Sequence, residues 1–134
     1  MENKYNLSRE QNIFIAKRNI VDYIWKSANL EGINVTYLET QVIYDGGVVN
    51  GLTVDNIIAI NNLKYAWQFI LESENLSCDF KLLTYLHKLT CDKLVLNQDL
   101  GKLRTTPVNI GGTNWKPQFP IESQIIEELE MLLK

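Results

Sequence analysis

The sequence has little of what metal centres and nucleophilic active sites require. It contains one histidine, His87, and two cysteines, Cys78 and Cys91, which have no partner ligands at metal spacing. Two cysteines are too few for a disulfide framework, so both are expected to be reduced. The sequence contains no nucleophile elbow, Walker loop or dinucleotide fingerprint. The residues alone therefore predict neither a catalytic constellation nor a metal site.

Long apolar runs and a basic excess are missing as well. No hydrophobic stretch approaches the roughly 18 residues of a membrane-spanning helix. Met1 is followed by polar residues rather than by the apolar core of a signal peptide. The net charge of −3 leaves no basic patch of the kind that binds nucleic acid. We therefore expect a cytoplasmic protein that binds neither nucleic acid nor membranes.

What is present is an ordinary globular composition at single-domain length. Hydrophobic residues make up 46% of the 134 residues and charged residues 22%, which is typical of a soluble domain with one core. We treat residues 1–134 as one domain. Its pattern divides into the segments 8–44, 53–96, 101–120 and 121–134.

Hydrophobic periodicity and capping residues predict about five helices. Two of them begin with a capping box, in which a hydroxyl residue is followed three positions later by Glu or Gln. The first predicted helix runs from the cap Ser8 (with Gln11) to about Leu30, and the second from Thr36 (with Glu39) to about Tyr44. The third runs from Thr53 to near Glu74, and the fourth from Asp79 to before Asp92. A last helix runs from Ile121 to Leu133. His87 lies in a leucine-rich stretch, which favours a buried, neutral imidazole bonded to a backbone carbonyl. After Asp92, residues 94–96 are a possible short extended piece.

Residues 101–120 predict a projecting β-hairpin. Residues 108–110 alternate like a strand, residues 111–114 supply a turn, and Trp115 begins a short return strand that Pro117 and Pro120 halt. A two-stranded hairpin is marginal in water, so it should pack on the helices or meet a partner strand. The expected fold is mainly α, a helical bundle of about five helices with one projecting β-hairpin.

One acid lies at an unfavourable place in the first helix. Ser27 and Glu31 are four residues apart, so a hydroxyl and a carboxylate share one helix face directly before Gly32 ends the helix. A carboxylate in the last turn faces the negative end of the helix dipole. Either Glu31 is simply solvated, or it is held for a positive group that comes from elsewhere.

Four motifs, in this order, resemble the N-terminal part of Fic-family (Fido-fold) proteins. They are Ser27-Ala-Asn-Leu-Glu-Gly32, Leu86-His-Lys-Leu89, Gly101-Lys-Leu-Arg104, and Val108-Asn-Ile-Gly-Gly112 ahead of Lys116-Pro-Gln-Phe-Pro120. The first is the most specific, because it fits the family's inhibitory pattern of Ser or Thr, three residues, Glu, then Gly or Asn. The resemblance covers the chain from about Asn19 to its end.

The resemblance implies a system that transfers AMP from ATP to a protein hydroxyl, using a downstream His-Pro-Phe loop. That loop is absent from this sequence. His87 is followed by Lys88 and Leu89 instead of Pro-Phe, so it is not the family's catalytic histidine and no catalytic residue is assigned. ATP and Mg²⁺ are implied only where the catalytic portion is present, and no cofactor is expected on this chain alone.

The resemblance implies two regulatory or docking sites. Glu31 matches the inhibitory glutamate, which in the family pairs with the arginine that ends the active-site loop and keeps ATP from placing its γ-phosphate productively. Ser27 would help to hold that geometry, and Gly32 completes the motif. The target-docking flap, which aligns a target segment by strand addition, would consist of Arg104, Val108, Asn109, Ile110, Gly111, Gly112 and Trp115.

Three interpretations stay open at this point. The chain is the regulatory and target-docking N-terminal portion of a Fic-type adenylyltransferase, inactive alone, whether as a truncated piece or as a natural half. Alternatively, it is a stand-alone, antitoxin-like inhibitor that acts in trans on a Fic catalytic chain, or a non-enzymatic, homo-oligomeric interaction protein. The expected partners are accordingly a missing or separate Fic catalytic core, an unidentified target protein, or a second copy of the chain.

Overall fold

The structure, a computed structural model, describes residues 4–106, 111–112 and 122–133. Within these residues, the α-helices are α1 (Arg9–Leu30), α2 (Tyr37–Tyr44), α3 (Val54–Glu72), α4 (Phe80–Cys91) and α5 (Ile125–Leu132), and a short 3-10 helix (Glu122–Gln124) precedes α5. The prediction of a mainly helical fold is confirmed. The projecting hairpin is not supported: the described residues contain no strand, and its predicted strand residues 108–110 and Trp115 lie outside them.

Four helices begin at the residues that the sequence predicts. The Ser8 hydroxyl accepts from the Gln11 N–H at 3.2 Å, and the Gln11 side chain accepts from the Ser8 N–H at 2.8 Å. Thr36 and Glu39 form the same reciprocal pair at 3.2 and 2.8 Å. These bonds satisfy N–H groups that have no partner within the helix. Single side-chain bonds cap α3 at Thr53 and α4 at Asp79.

The core lies where α1, α2 and α3 meet, and it includes the connection between α1 and α2. Its members are aliphatic side chains at helical spacing on α1, together with two residues of the connection and one each from α2 and α3. They are Ile20, Val21, Ile24, Ala28, Ile33, Val35, Ile43 and Ile60. The segment that follows α1 is therefore part of the core of the described chain.

Helix α4 packs on α3 and exposes much of its apolar surface. Phe80 and Leu83 are 41% and 42% exposed, and α4 contributes no fully buried residue. A groove of about 660 Å³ separates these side chains from α5, which supplies Ile125 and Leu129 to its other wall. None of the helices in the described ranges combines the length and apolarity that crossing a bilayer requires.

Two predictions about the region around α4 are wrong. His87 is exposed, and its Nδ1 accepts a 2.9 Å hydrogen bond from the Gly101 N–H instead of donating to a carbonyl. The leucine-rich pattern suggested burial, but α4 has only one covered side. Residues 94–96 are not extended either, because the N–H of Leu94 turns back to the Cys91 carbonyl at 3.0 Å and Lys93 has a φ of +60°.

Candidate functional site

Helix α1 ends in a glycine-terminated Schellman motif that carries Glu31. Gly32, with a φ of +81°, donates its N–H to the Asn29 carbonyl at 3.0 Å. The N–H of Ile33 reaches back to the Ala28 carbonyl, also at 3.0 Å, and both residues are buried in the core. A left-handed glycine at this position is the usual way to satisfy the last helical carbonyls. The backbone at Glu31 is therefore fixed from both sides.

The Glu31 side chain itself is exposed. Among the described residues it has no hydrogen-bond or ion-pair partner, and the last turn of α1 contains no basic residue. A negative charge at the carbonyl end of a helix is repelled by the helix dipole. The position thus presents an uncompensated carboxylate on a rigid backbone, suited to a cation from outside this part of the chain.

The structure brings Ser27 and Glu31 together through the backbone. The Glu31 N–H donates to the Ser27 carbonyl at 3.1 Å, and Ser27 is half-buried on the same helix face. Within the described ranges, no hydrogen bond joins the two side chains. The predicted set Ser27, Glu31 and Gly32 is therefore one local unit, in which Glu31 is the exposed member.

Two further residues hold this unit, and the sequence analysis missed them. The Trp25 indole N–H donates to the Val35 carbonyl at 3.0 Å, and the Asn29 side-chain amide donates to the same carbonyl at 3.1 Å. Asn29 also donates to the Trp25 carbonyl at 2.9 Å. The spacing of four residues between Trp25 and Asn29 was the available signal, since it places both on one helix face. We call this arrangement of Trp25, Asn29 and Val35 the Val35 clamp.

The predicted flap residues fall only partly within the described chain. Arg104 is half-buried, donates to the Thr106 carbonyl at 3.5 Å and is engaged in further interactions. Gly111 and Gly112 are exposed and lie in a turn. The remaining flap residues, Val108, Asn109, Ile110 and Trp115, lie outside the described residues.

The groove between α4 and α5 is the other candidate surface. Its walls are mainly apolar, and polar groups line it at His87, Lys102 and Glu128. Gly101 closes one side with a φ of +66°, and a Cβ there would lie 2.5 Å from Cε of Lys88. Within the described ranges, no cluster of three or more metal-type side chains occurs here or elsewhere. The described lining of the groove is therefore mainly apolar, with a few polar side chains.

The chemical capacity of the α1 end is narrow. Within the described ranges the Glu31 carboxylate has no hydrogen-bond or ion-pair partner, and a carboxylate can accept two parallel hydrogen bonds from a guanidinium. Such a bidentate pair is short, charge-assisted and stronger than a hydrogen bond between neutral groups. Comparison with known proteins adds nothing to this geometry: no protein-family model matches the chain, and no curated protein or solved structure is significantly similar to it.

Proposed function

We propose that this chain is the regulatory and target-docking portion of a Fic-type protein adenylyltransferase, and that Glu31 is its inhibitory carboxylate. The observation that carries the proposal is the rigid presentation of an exposed acid at the end of α1, directly before the left-handed Gly32. The match of Ser27, Glu31 and Gly32 to the family's inhibitory pattern supports the same assignment.

The proposed mechanism is competition for one arginine. In the catalytic portion, the arginine at the end of the active-site loop would bind the γ-phosphate of ATP. The Glu31 carboxylate accepts two hydrogen bonds from that guanidinium, so the arginine no longer orients the nucleotide and AMP transfer slows. A charge-assisted hydrogen bond contributes about 1.5–3 kcal/mol, so one bidentate contact accounts for a reduction of tenfold or more. ATP and Mg²⁺ belong to the catalytic portion, and this chain alone transfers no AMP.

The same site serves two arrangements. Glu31 can act on a catalytic portion of the same protein or, as an antitoxin-like inhibitor, on a separate catalytic chain. The chemistry at the arginine is identical in both, so one experiment with an added catalytic chain tests the role of Glu31.

The decisive experiment measures AMP transfer from labelled ATP by a Fic catalytic chain that retains the loop arginine and has no inhibitory glutamate of its own. Added wild-type chain should lower the rate, and Glu31→Gln should abolish most of that effect, by about tenfold or more. Glu74→Gln removes an exposed acid from the α3–α4 connection and should inhibit as the wild type does. Equal inhibition by the wild type and Glu31→Gln would refute the proposal.

A second candidate function is a homo-oligomeric interaction protein, and the exposed apolar side chains favour it. Phe80, Leu83 and Leu132 all line the α4–α5 groove and are 41%, 42% and 79% exposed. Apolar surface of this kind is commonly covered by another chain. Light scattering across a range of concentrations tests this, because a chain that stays monomeric at all of them would exclude self-association through the groove.

A further inference from the structure

We infer that Trp25 and Asn29 are positioning residues for Glu31, acting through the Val35 clamp. The inference rests on the proposed function, because it concerns how the inhibitory carboxylate is kept in place. The inhibitory pattern (Ser, any three residues, Glu, then Gly) does not specify a residue type at either of these two positions. Their role is to fix the far end of the turn that carries Glu31.

The clamp uses the full acceptor capacity of one carbonyl. The Val35 oxygen receives the Trp25 indole N–H at 3.0 Å and the Asn29 amide N–H at 3.1 Å, and a carbonyl oxygen has two lone pairs. Asn29 is itself oriented by its bond to the Trp25 carbonyl at 2.9 Å. Two bonds thus join α1 to Val35, the residue before the cap of α2, and the third holds Asn29 in place on α1.

The clamp matters because Glu31 lies between two fixed points. At the near end, Gly32 and Ile33 close the Schellman motif on α1. At the far end, Val35 is 3% exposed and held by the clamp. With both ends held, the Glu31 backbone needs no further ordering when it meets a guanidinium, and a contact between pre-organised groups loses less conformational entropy.

The clamp bonds are separate from the contacts of the α1 residues at the centre of the core. Ile20 and Ile24 pack there without using these bonds, and Trp25 and Val35 contribute their own apolar contacts, which loss of a bond leaves in place. Asn29 is exposed. Removing the clamp donors should therefore loosen the turn more than the helix. A purely structural role would instead weaken the whole domain evenly.

Amide hydrogen exchange on the chain alone provides the first test. Trp25→Phe removes the indole donor but keeps a ring against Tyr37, whose ring centre lies 6.1 Å away, and Asn29→Ala removes the amide. Both should speed exchange at the hydrogen-bonded N–H groups of Glu31, Gly32, Ile33 and Val35 by about tenfold, with little change at the α3 amides. Uniform acceleration across the chain, or no acceleration, would overturn the inference.

Matched controls are available for both substitutions. Asn19→Ala removes a side-chain amide that bonds only the carbonyl four residues earlier, that of Ile15, at 2.8 Å. Trp67→Phe changes an indole that stacks on Tyr23 at 5.2 Å and has no hydrogen-bond partner in the described chain. Neither control should alter exchange at residues 31–35, and an equal effect from them would remove the special role of the clamp.

Inhibition of the Fic catalytic chain provides the second test. About tenfold more of each clamp variant should be needed for half-inhibition. Adding Glu31→Gln to a clamp variant should weaken inhibition by a smaller factor than it does in the wild type. Full wild-type inhibition by both clamp variants, with Glu31→Gln still relieving it, would overturn only this inference. Inhibition that is unaffected by Glu31→Gln would overturn the proposed function, and the positioning role with it.

Discussion

The side-chain amide of Asn62 donates a 2.8 Å hydrogen bond to the carbonyl oxygen of Asp92, thirty residues further along the chain. The same amide donates to the Thr90 carbonyl at 3.2 Å. Asn62 is 5% exposed, so a residue of α3 caps the end of α4 from inside the packed interface. This tertiary cap provides partners for carbonyls that the helix itself leaves without a donor.

Replacing Asn62 by alanine should destabilise the domain. Two hydrogen bonds of a buried side chain are lost, and we expect the free energy of unfolding to fall by about 2–3 kcal/mol. The neighbour Asn61 bonds only the Ile57 carbonyl within α3, at 3.0 Å, so Asn61→Ala should cost less than about 1 kcal/mol. Urea denaturation of the two variants checks this, and equal losses would contradict the cap.

Any side chain at Gly101 should destabilise the domain. Its φ of +66° disfavours other residues, and a Cβ would also lie 2.9 Å from the Thr84 carbonyl oxygen. We expect Gly101→Ala to lower the free energy of unfolding by about 2–4 kcal/mol, from the left-handed backbone and the close contact together. Gly46 has a φ of +85° with nothing within 4 Å, so Gly46→Ala should cost only the backbone part, about 1–2 kcal/mol. Thermal or chemical denaturation measures the difference, which should vanish if the contact with α4 is unimportant.

His87 should act as an acceptor at Nδ1. Because Nδ1 takes the Gly101 N–H at 2.9 Å, the neutral imidazole must carry its proton on Nε2. His87→Leu keeps the bulk of the side chain and removes the acceptor, so exchange at the Gly101 amide should quicken by about tenfold. Nitrogen chemical shifts of the imidazole report the tautomer directly, and a proton on Nδ1 would contradict the structure.

Stability should depend on the ionisation of Glu39. Hydrogen bonds from the Thr36 backbone N–H and hydroxyl hold the pKa of the Glu39 carboxyl below its ordinary value of 4.5. A lowered pKa in the folded state means that the stabilisation is fully present above about 4.5 and is lost as the pH falls through the folded-state pKa. The difference in unfolding free energy between the wild type and Glu39→Gln should therefore shrink in acid. Denaturation curves at pH 3 to 6 test this, and a constant difference would refute it.

The helix starts could be predicted because their signals are local. Each cap lies within three residues of the N–H group that it satisfies, as at Ser8 and Thr36, so the sequence pattern contains the whole interaction. The Schellman end at Gly32 is predictable for the same reason. These elements carry the proposed inhibitory site.

What could not be predicted depends on contacts between distant segments. The bond from the Gly101 N–H to His87 follows from how the Gly101 segment folds onto α4, and the Asn62 cap follows from the packing of α3 on α4. Helical periodicity assigns a face to a residue but does not say whether that face is covered. The clamp was missed because Trp25 fits the apolar stripe of α1, which hid the indole donor.

The placement of the α1–α2 turn within the core limits how inhibition could be relieved. Local opening has its lowest free energy where backbone bonds are exposed and apolar contacts are few, whereas this turn is anchored by Ile33 and Val35, which are 6% and 3% exposed. Under the proposed function, withdrawing the acid by melting its own segment would first have to break the Val35 clamp and the core contacts of Ile33 and Val35. Activation would instead require separation of the whole regulatory unit from the arginine, so the dissociation rate of that interface would set how fast the enzyme turns on.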